Sequence, residues 1–245
     1  MTIQQIVDQI KKSDGVTLHA GSGDAIVTGI VVTYTPTLDV LRKSVAGGRN
    51  VIVSREGPYW TRKPDTLASN PTYQFKRDYI EKNRLALLQL RDGDRSLQGL
   101  AQALGWGDRT NPEDIYFTLP ETTLESLSNS IESKLKIHAA RVIGDPKLKV
   151  TKVALTHGRM LVPALQKVLK EPGVDAVIIG EPVEWEASPY FQDLIASGAK
   201  KGLIAIGLEA SEEPGGKLTA AWLQSLFPDV KVDWIPAGEP FWVLS

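Results

Sequence analysis

Cysteine is absent from this chain of 245 residues, which removes disulfides, thiolate nucleophiles and cysteine-ligated zinc or iron–sulfur sites together. Histidine is nearly as scarce: His19, His138 and His157 are the whole complement, scattered along the chain, so a metal site would have to lean on carboxylates. A charge imbalance is missing as well. The 28 Lys and Arg against 29 Asp and Glu leave a net charge of −1. No basic run exceeds a pair, so the electrostatic footprint of sequence-independent nucleic-acid binding is lacking. The N-terminus carries no basic region followed by an apolar run, and no stretch is long enough to span a bilayer. The expectation is a cytoplasmic protein with no nucleic-acid or membrane partner. What is plentiful is ordinary globular material, 42% apolar and 23% charged. That content excludes disorder and, at this length, allows burial of about 70–75% of the unfolded surface, in one large domain or two smaller ones.

Ile3, Ile6, Val7 and Ile10 recur at helical spacing before Gly15 and the Gly21-Ser22-Gly23 cluster, so one amphipathic helix opens the chain. From Ala25 onward the pattern alternates. Strands are expected at 26–33, 51–54 and 85–90, with helices at 37–46, 73–83 and 97–104. A second series follows a Ser-rich acidic helix at 123–135, with strands at 150–155, 176–179, 202–207 and 230–235 and helices at 161–169, 190–196 and 218–226. Strands separated by helices of this length predict an α/β fold with mainly parallel pairing.

The two series resemble each other. Val27-Thr28-Gly29-Ile30-Val31 aligns with Val150-Thr151-Lys152-Val153-Ala154, and Val51-Ile52-Val53-Ser54-Arg55-Glu56 aligns with Ala176-Val177-Ile178-Ile179-Gly180-Glu181, which sets Trp60 opposite Trp185. The segment 85–90 matches 202–207. An internal duplication is expected, with α/β halves at 1–122 and 123–245 facing each other across a cleft. Ligands of parallel α/β sheets bind outside the carboxyl ends of strands, which nominates Arg55, Glu56, Arg91, Asp92, His157, Glu181, Leu208, Glu209 and Glu212.

Two acid-rich stretches follow strands: Glu181, Glu184 and Glu186 in one, Glu209, Glu212 and Glu213 in the other. Carboxylates this dense need a cation or a basic partner, or else form a solvated loop or favour a helix N-terminus. His157 stands where a general base would, and also where a hydrogen-bonded turn residue would. His19 and His138 read as structural, and Trp60 and Trp185 as cleft-closing or edge-packing residues. No Gly-x-Ser-x-Gly elbow is present, and Gly21-Ser22-Gly23-Asp24 lacks the Lys and the spacing of a phosphate loop.

Four segments together carry a family resemblance: residues 31–41, residues 50–60 from Asn50 to Trp60, Gly180-Glu181, and residues 201–215 from Lys201 to Gly215. In order and spacing they resemble the NGG-one-interacting-factor-three family, also labelled dinuclear metal-centre hexameric proteins or GTP cyclohydrolase I type 2 homologues. The resemblance implies a duplicated α/β fold, a ring-shaped homohexamer, and a pair of divalent metals (Zn, Fe or Mn) held by His and carboxylate in a hydrolase-like site. This chain departs from that ligand set. The His-His or His-Glu motif after the second strand reads Arg55-Glu56. The His after the strand at 85–90 is Arg91, with Arg95 four residues on and Asp92 and Asp94 as substitutes, and Gly-His-x-x-x-Glu reads Gly207-Leu208-Glu209-Ala210-Ser211-Glu212. The acids Glu56 and Glu212 stand at metal positions without their histidines.

Arginine stays protonated and has no lone pair to give. The expectation is therefore a degenerate metal site with no cofactor, in which Arg55 and Arg91 pair with Glu56 and Glu212. The protein would keep the fold and the self-assembling ring and bind a small anionic metabolite through Arg55, Arg91 and Glu181. The alternative is a metal-dependent hydrolase of a small polar or nucleotide-like substrate, with Glu56, His157 and Glu212 as its catalytic candidates.

Overall fold

The structure, a computed structural model, describes residues 1–61, 63–90, 95–107 and 114–244. Its first run of elements is α1 (Ile3–Ile10), β1 (Val16–Ala20), β2 (Ile30–Thr33), α2 (Leu38–Ala46), β3 (Val51–Ser54), α3 (Pro71–Lys82) and β4 (Ala86–Leu90). Local chemistry sets the helix starts. Thr2 and Gln5 form a reciprocal capping box on α1, Thr37 caps α2, and Asn70 followed by Pro71 opens α3. Strands β2 and β3 are buried at every position, as unbroken apolar runs in a sheet covered on both faces should be. Four strands, β4, β3, β2 and the later β12 (Val232–Trp234), run parallel. β1 closes the edge antiparallel to β4, giving the order β1-β4-β3-β2-β12.

The second run repeats the first: α5 (Leu124–Leu135), β6 (Arg141–Ile143), β7 (Lys149–Leu155), α6 (Val162–Leu169), β9 (Ala176–Ile179), α7 (Glu184–Ala196) and β11 (Gly202–Ala205). A two-residue parallel ladder, β8 (Arg159–Met160) with β10 (Glu181–Pro182), extends it at the strand ends. The second sheet reads β5-β7-β9-β11-β6, with β5 (Tyr116–Thr123) and β6 as antiparallel edges. In both sheets the strand that follows the opening helix pairs antiparallel with the last strand of the parallel trio. This topology matches the internal duplication expected from sequence.

The compact units are not the consecutive halves 1–122 and 123–245. One unit comprises Met1–Arg95 with Gly216–Ala237, and the other Ser96–Gly215 with the segment from Gly238 onward. Each repeat sends its trailing helix and strand to the other's sheet: α4 (Arg95–Ala103) and β5 join the second, α9 (Gly215–Leu226) and β12 the first. Packing is the reason. Leu97, Leu100 and Ala101 of α4 lie with Leu127 and Ile131 of α5 against Val153, Leu155, Ile178 and Ile204. Ala220, Leu223 and Phe227, on and just after α9, lie with Ile3, Ile6 and Ile10 of α1 against Ile30, Val32, Val53 and Leu88. On the opposite faces α2 and α3 cover the first sheet and α6 and α7 the second.

Several boundaries differ from the sequence reading for identifiable reasons. Residues 26–29 are not strand, because the chain at Ala25–Val27 pairs with Met1–Ile3 instead. β5 was missed because Pro120 interrupts it, and its register shifts between Thr118 and Thr122. α7 starts at Glu184 and accommodates Pro189 internally, giving up one backbone hydrogen bond to do so. No described helix is long and apolar enough to cross a membrane.

Phe227, 2% exposed, joins the segment after α9 to the first sheet's core. Phe227→Ala is expected to cost about 3–5 kcal/mol of unfolding free energy, read as a lower urea midpoint at unchanged slope.

Candidate functional site

The carboxyl ends of β7, β9 and β11 lie side by side in the second unit, and the segments that follow them converge. After β7, Thr156 ties back to the Ile178 carbonyl through both its N–H (2.9 Å) and its hydroxyl (3.0 Å), so His157 and Gly158 emerge in a set direction. After β11, Gly207 leads into the short helix α8 (Leu208–Glu212), which carries Ser211 and Glu212 inward. Gly207 N–H donates to the Gly180 carbonyl at 2.9 Å, and Glu181 N–H to the Gly158 carbonyl at 2.9 Å. The three strand ends are thereby sewn together by backbone.

Glu212, only 8% exposed, is the centre of the cluster. The Ser96 hydroxyl, from the first turn of α4, donates to Oε2 at 2.7 Å, and Nδ1 of His157 lies 3.0 Å from Oε1. An ionised carboxylate only accepts, so with Glu212 ionised this contact requires the proton on Nδ1. Ser211 anchors the same corner, accepting from Gly158 N–H at 3.0 Å and donating to the Leu208 carbonyl at 2.6 Å.

Two glycines make the approach close enough. A Cβ on Gly180 would fall 2.4 Å from Ser211 Oγ and 2.5 Å from the Gly158 carbonyl oxygen. Gly158 has φ +68°, and its Cβ would lie 2.9 Å from Glu212 Oε1, so that position is closed to side chains by conformation and by space.

Glu209 and Glu213 flank this corner one turn apart. Desolvation, reinforced by the like charge of Glu213, pushes the half-buried Glu209 carboxyl up to about 7. Glu213 Oε2 accepts from Gly238 N–H at 3.2 Å. Leu208, at the position where the resemblance implies a histidine, is 36% exposed and offers no donor atom.

In the first unit, Arg55 and Glu56 follow β3 and are both exposed. Their backbone is held by Glu56 N–H to the Tyr34 carbonyl (2.9 Å) and by Gln89, which donates to the Arg55 carbonyl (3.1 Å) and meets His19 Nε2 at 2.8 Å. Glu56 makes no ion pair among the described residues. Glu181 lies exposed at the start of β10. Arg91, Asp92 and Asp94 fall outside the described residues. Of the nominated residues the structure thus joins His157 directly to Glu212. Ser96, Ser211, Gly158 and Gly180 went unrecognised, since their role depends on contacts between distant segments.

A model of the Duf34/NIF3 (NGG1p interacting factor 3) family matches residues 5–238. The chain belongs to the DUF34/NIF3 family. No curated protein matches it. Solved structures share its fold over nearly the whole length: Staphylococcus aureus protein SA1388 (17% identity, TM-score 0.76, 100% of this chain and 99% of that one), a Bacillus cereus protein related to NIF3 (13%, 0.75, 100% and 99%), and protein ybgI, described as of unknown function (20%, 0.70, 98% and 100%).

The family resemblance implies a metal pair, and two of the described positions depart from its ligand set. Arg55 and Leu208 supply no lone pair where nitrogen ligands are implied. Both oxygens of Glu212 already meet protein groups. No group of three or more potential His, Asp or Glu ligands occurs among the described residues.

Two measurements check this corner. Ser96→Ala removes one donor from a buried carboxylate and is expected to cost about 1–3 kcal/mol in denaturant unfolding. Glu209 has a folded pKa above its ordinary 4.5, so the stability it contributes is present below that value and is lost as pH rises through 7. Glu209→Gln should accordingly raise the melting temperature relative to the parent at pH 8 and lose that advantage at pH 4.

Proposed function

We propose that this chain is a metal-independent member of the DUF34/NIF3 family that binds a small anionic ligand rather than activating water on metal ions. The observation that carries the reading is the engagement of Glu212, the acid at the implied metal position, by Ser96 and His157. A carboxylate so held has its charge satisfied by protein donors and is a poor candidate for a bridging or terminal ligand. The anionic character of the ligand rests on Arg55, exposed at the carboxyl end of β3, and on Arg91. Guanidinium groups at strand ends suit bidentate capture of phosphate or carboxylate. A self-assembling ring is the accompanying proposal for quaternary state, to be read by light scattering.

Elemental analysis of the purified protein is the direct test. Substoichiometric metal, with no loss of fold or ligand binding on chelation, is the expected result. About two metals per chain, removed together with a hydrolytic activity, would reinstate the metal-dependent hydrolase.

A further inference from the structure

Away from that cluster, a charged group lies buried with no opposite charge paired to it among the described residues. Lys76 lies within α3, four residues before the buried Ile80, and is 3% exposed. Its ammonium donates to the Pro58 carbonyl and faces the rings of Tyr59 and Trp60, 5.9 and 5.7 Å from their centroids. It makes no ion pair among the described residues. Arg77, next to it on α3, is engaged by Asp78 and Glu81 at the helix surface. An ammonium carries three donors and a full charge, and one carbonyl with two ring faces is a thin replacement for water. Desolvation accordingly brings its pKa down to about 8.

The cover over Lys76 is attached by side chains rather than by backbone, with Pro58 buried and Tyr59 packed against the cluster of Leu41, Ile52, Ile80, Leu85 and Leu87. After Glu56, residues 57–61 form no backbone–backbone hydrogen bond among the described residues. This loop is held to α3 by the Lys76–Pro58 bond and by the contact of Tyr59 with Tyr73, whose ring centroids are 4.5 Å apart. It begins immediately after Arg55 and Glu56, at the end of parallel β3 where ligands of such sheets bind.

We infer that Lys76 is an anion-binding residue held in reserve, which pairs with a small oxyanion (a phosphate, sulfate or carboxylate group) when the 57–61 loop lifts from α3. This rests on the anionic-ligand reading above and adds the residue that takes the charge. The oxyanion replaces the Pro58 carbonyl as acceptor, forms charge-assisted hydrogen bonds, and supplies the counter-charge that the fold withholds. Bound anion returns the ammonium to its ordinary pKa of 10.5, against about 8 when closed over. Binding therefore takes up a proton above pH 8, and affinity falls as pH rises from 8 to 10.5. The other ionisable groups around the enclosure are Tyr59, whose pKa burial raises, Tyr73 and Arg77 on α3, Arg55 and Glu56 just before the loop, and Lys63 beyond its end.

Sulfate is the probe, because it does not itself titrate in this range. Calorimetric titration of the full chain should give an association constant about 20-fold weaker at pH 9.5 than at pH 7.5, from the two pKa values through the linkage relation. Buffers of different ionisation enthalpy should report uptake of close to one proton at pH 9. Lys76→Arg, permanently charged, should retain binding while losing both the pH dependence and the proton uptake. Lys76→Met should lose binding. Absence of sulfate binding by the parent, pH-independent binding, or undiminished binding by Lys76→Met would each overturn the inference. Should Lys76→Met fail to fold, the parent and Lys76→Arg profiles decide alone. Binding abolished by Arg55→Ala yet untouched by Lys76→Met would refute Lys76 while leaving the anionic-ligand reading intact.

Discussion

A carboxylate shut away from water must be given donors by the fold, and Glu212 is where that requirement organises the second unit. Ser96 and His157 meet its two oxygens, and each arrives by a different route, one from a helix of the first repeat and one from a strand end of the second. The surrounding geometry serves this meeting. Gly158 and Gly180 leave out side chains so that backbone can pass beside Ser211 and Glu212, and the hydrogen bonds between strand ends keep the three segments at one level. Had the site been a metal cage, neutral imidazoles and free carboxylates would be needed in the same space. In the second unit Leu208 carries no donor atom, and the oxygens of Glu212 meet Ser96 and His157.

Charge is handled differently in the two units. Around Glu212 the acid is answered by a hydroxyl and an imidazole. Around Lys76 the base is answered, among the described residues, by a carbonyl and aromatic faces. A fold that leaves an ammonium so poorly compensated carries a free-energy cost at neutral pH, and the loop covering it is short of backbone hydrogen bonds. The two facts belong together, because a cover without backbone hydrogen bonds costs less to displace than one held in a helix or sheet.

Much of the architecture was legible because β2, β3, β9 and β11 are continuous apolar runs bounded by polar or glycine residues, and because Thr2, Thr37 and Asn70 announce helix starts. The edge strands β1, β5 and β6 were not, unlike the edge strand β12, which falls within the strand expected at 230–235. β1 is only half-buried, β6 has three residues, and β5 contains a proline, so none has the burial that writes a clear period into sequence. For the site, position along the chain nominated His157 and Glu212 separately. Their contact, across a separation of 55 residues, and that of Ser96 with Glu212 across 116, depend on which helix covers which sheet. Lys76 reads as an ordinary surface lysine until its place on the buried stripe with Ile80 is noticed.

The exchange of trailing elements has a consequence for biogenesis. The first sheet begins with residues near the N-terminus yet obtains α9 and β12 only from Gly215–Leu226 and Val232–Trp234. During synthesis the edge of β2 stays open and the apolar face above it stays bare until α9 and β12 have emerged, so the first sheet is closed only after every strand of the second has been made. Over that interval the nascent chain presents an unpaired strand edge of the kind that invites misassociation.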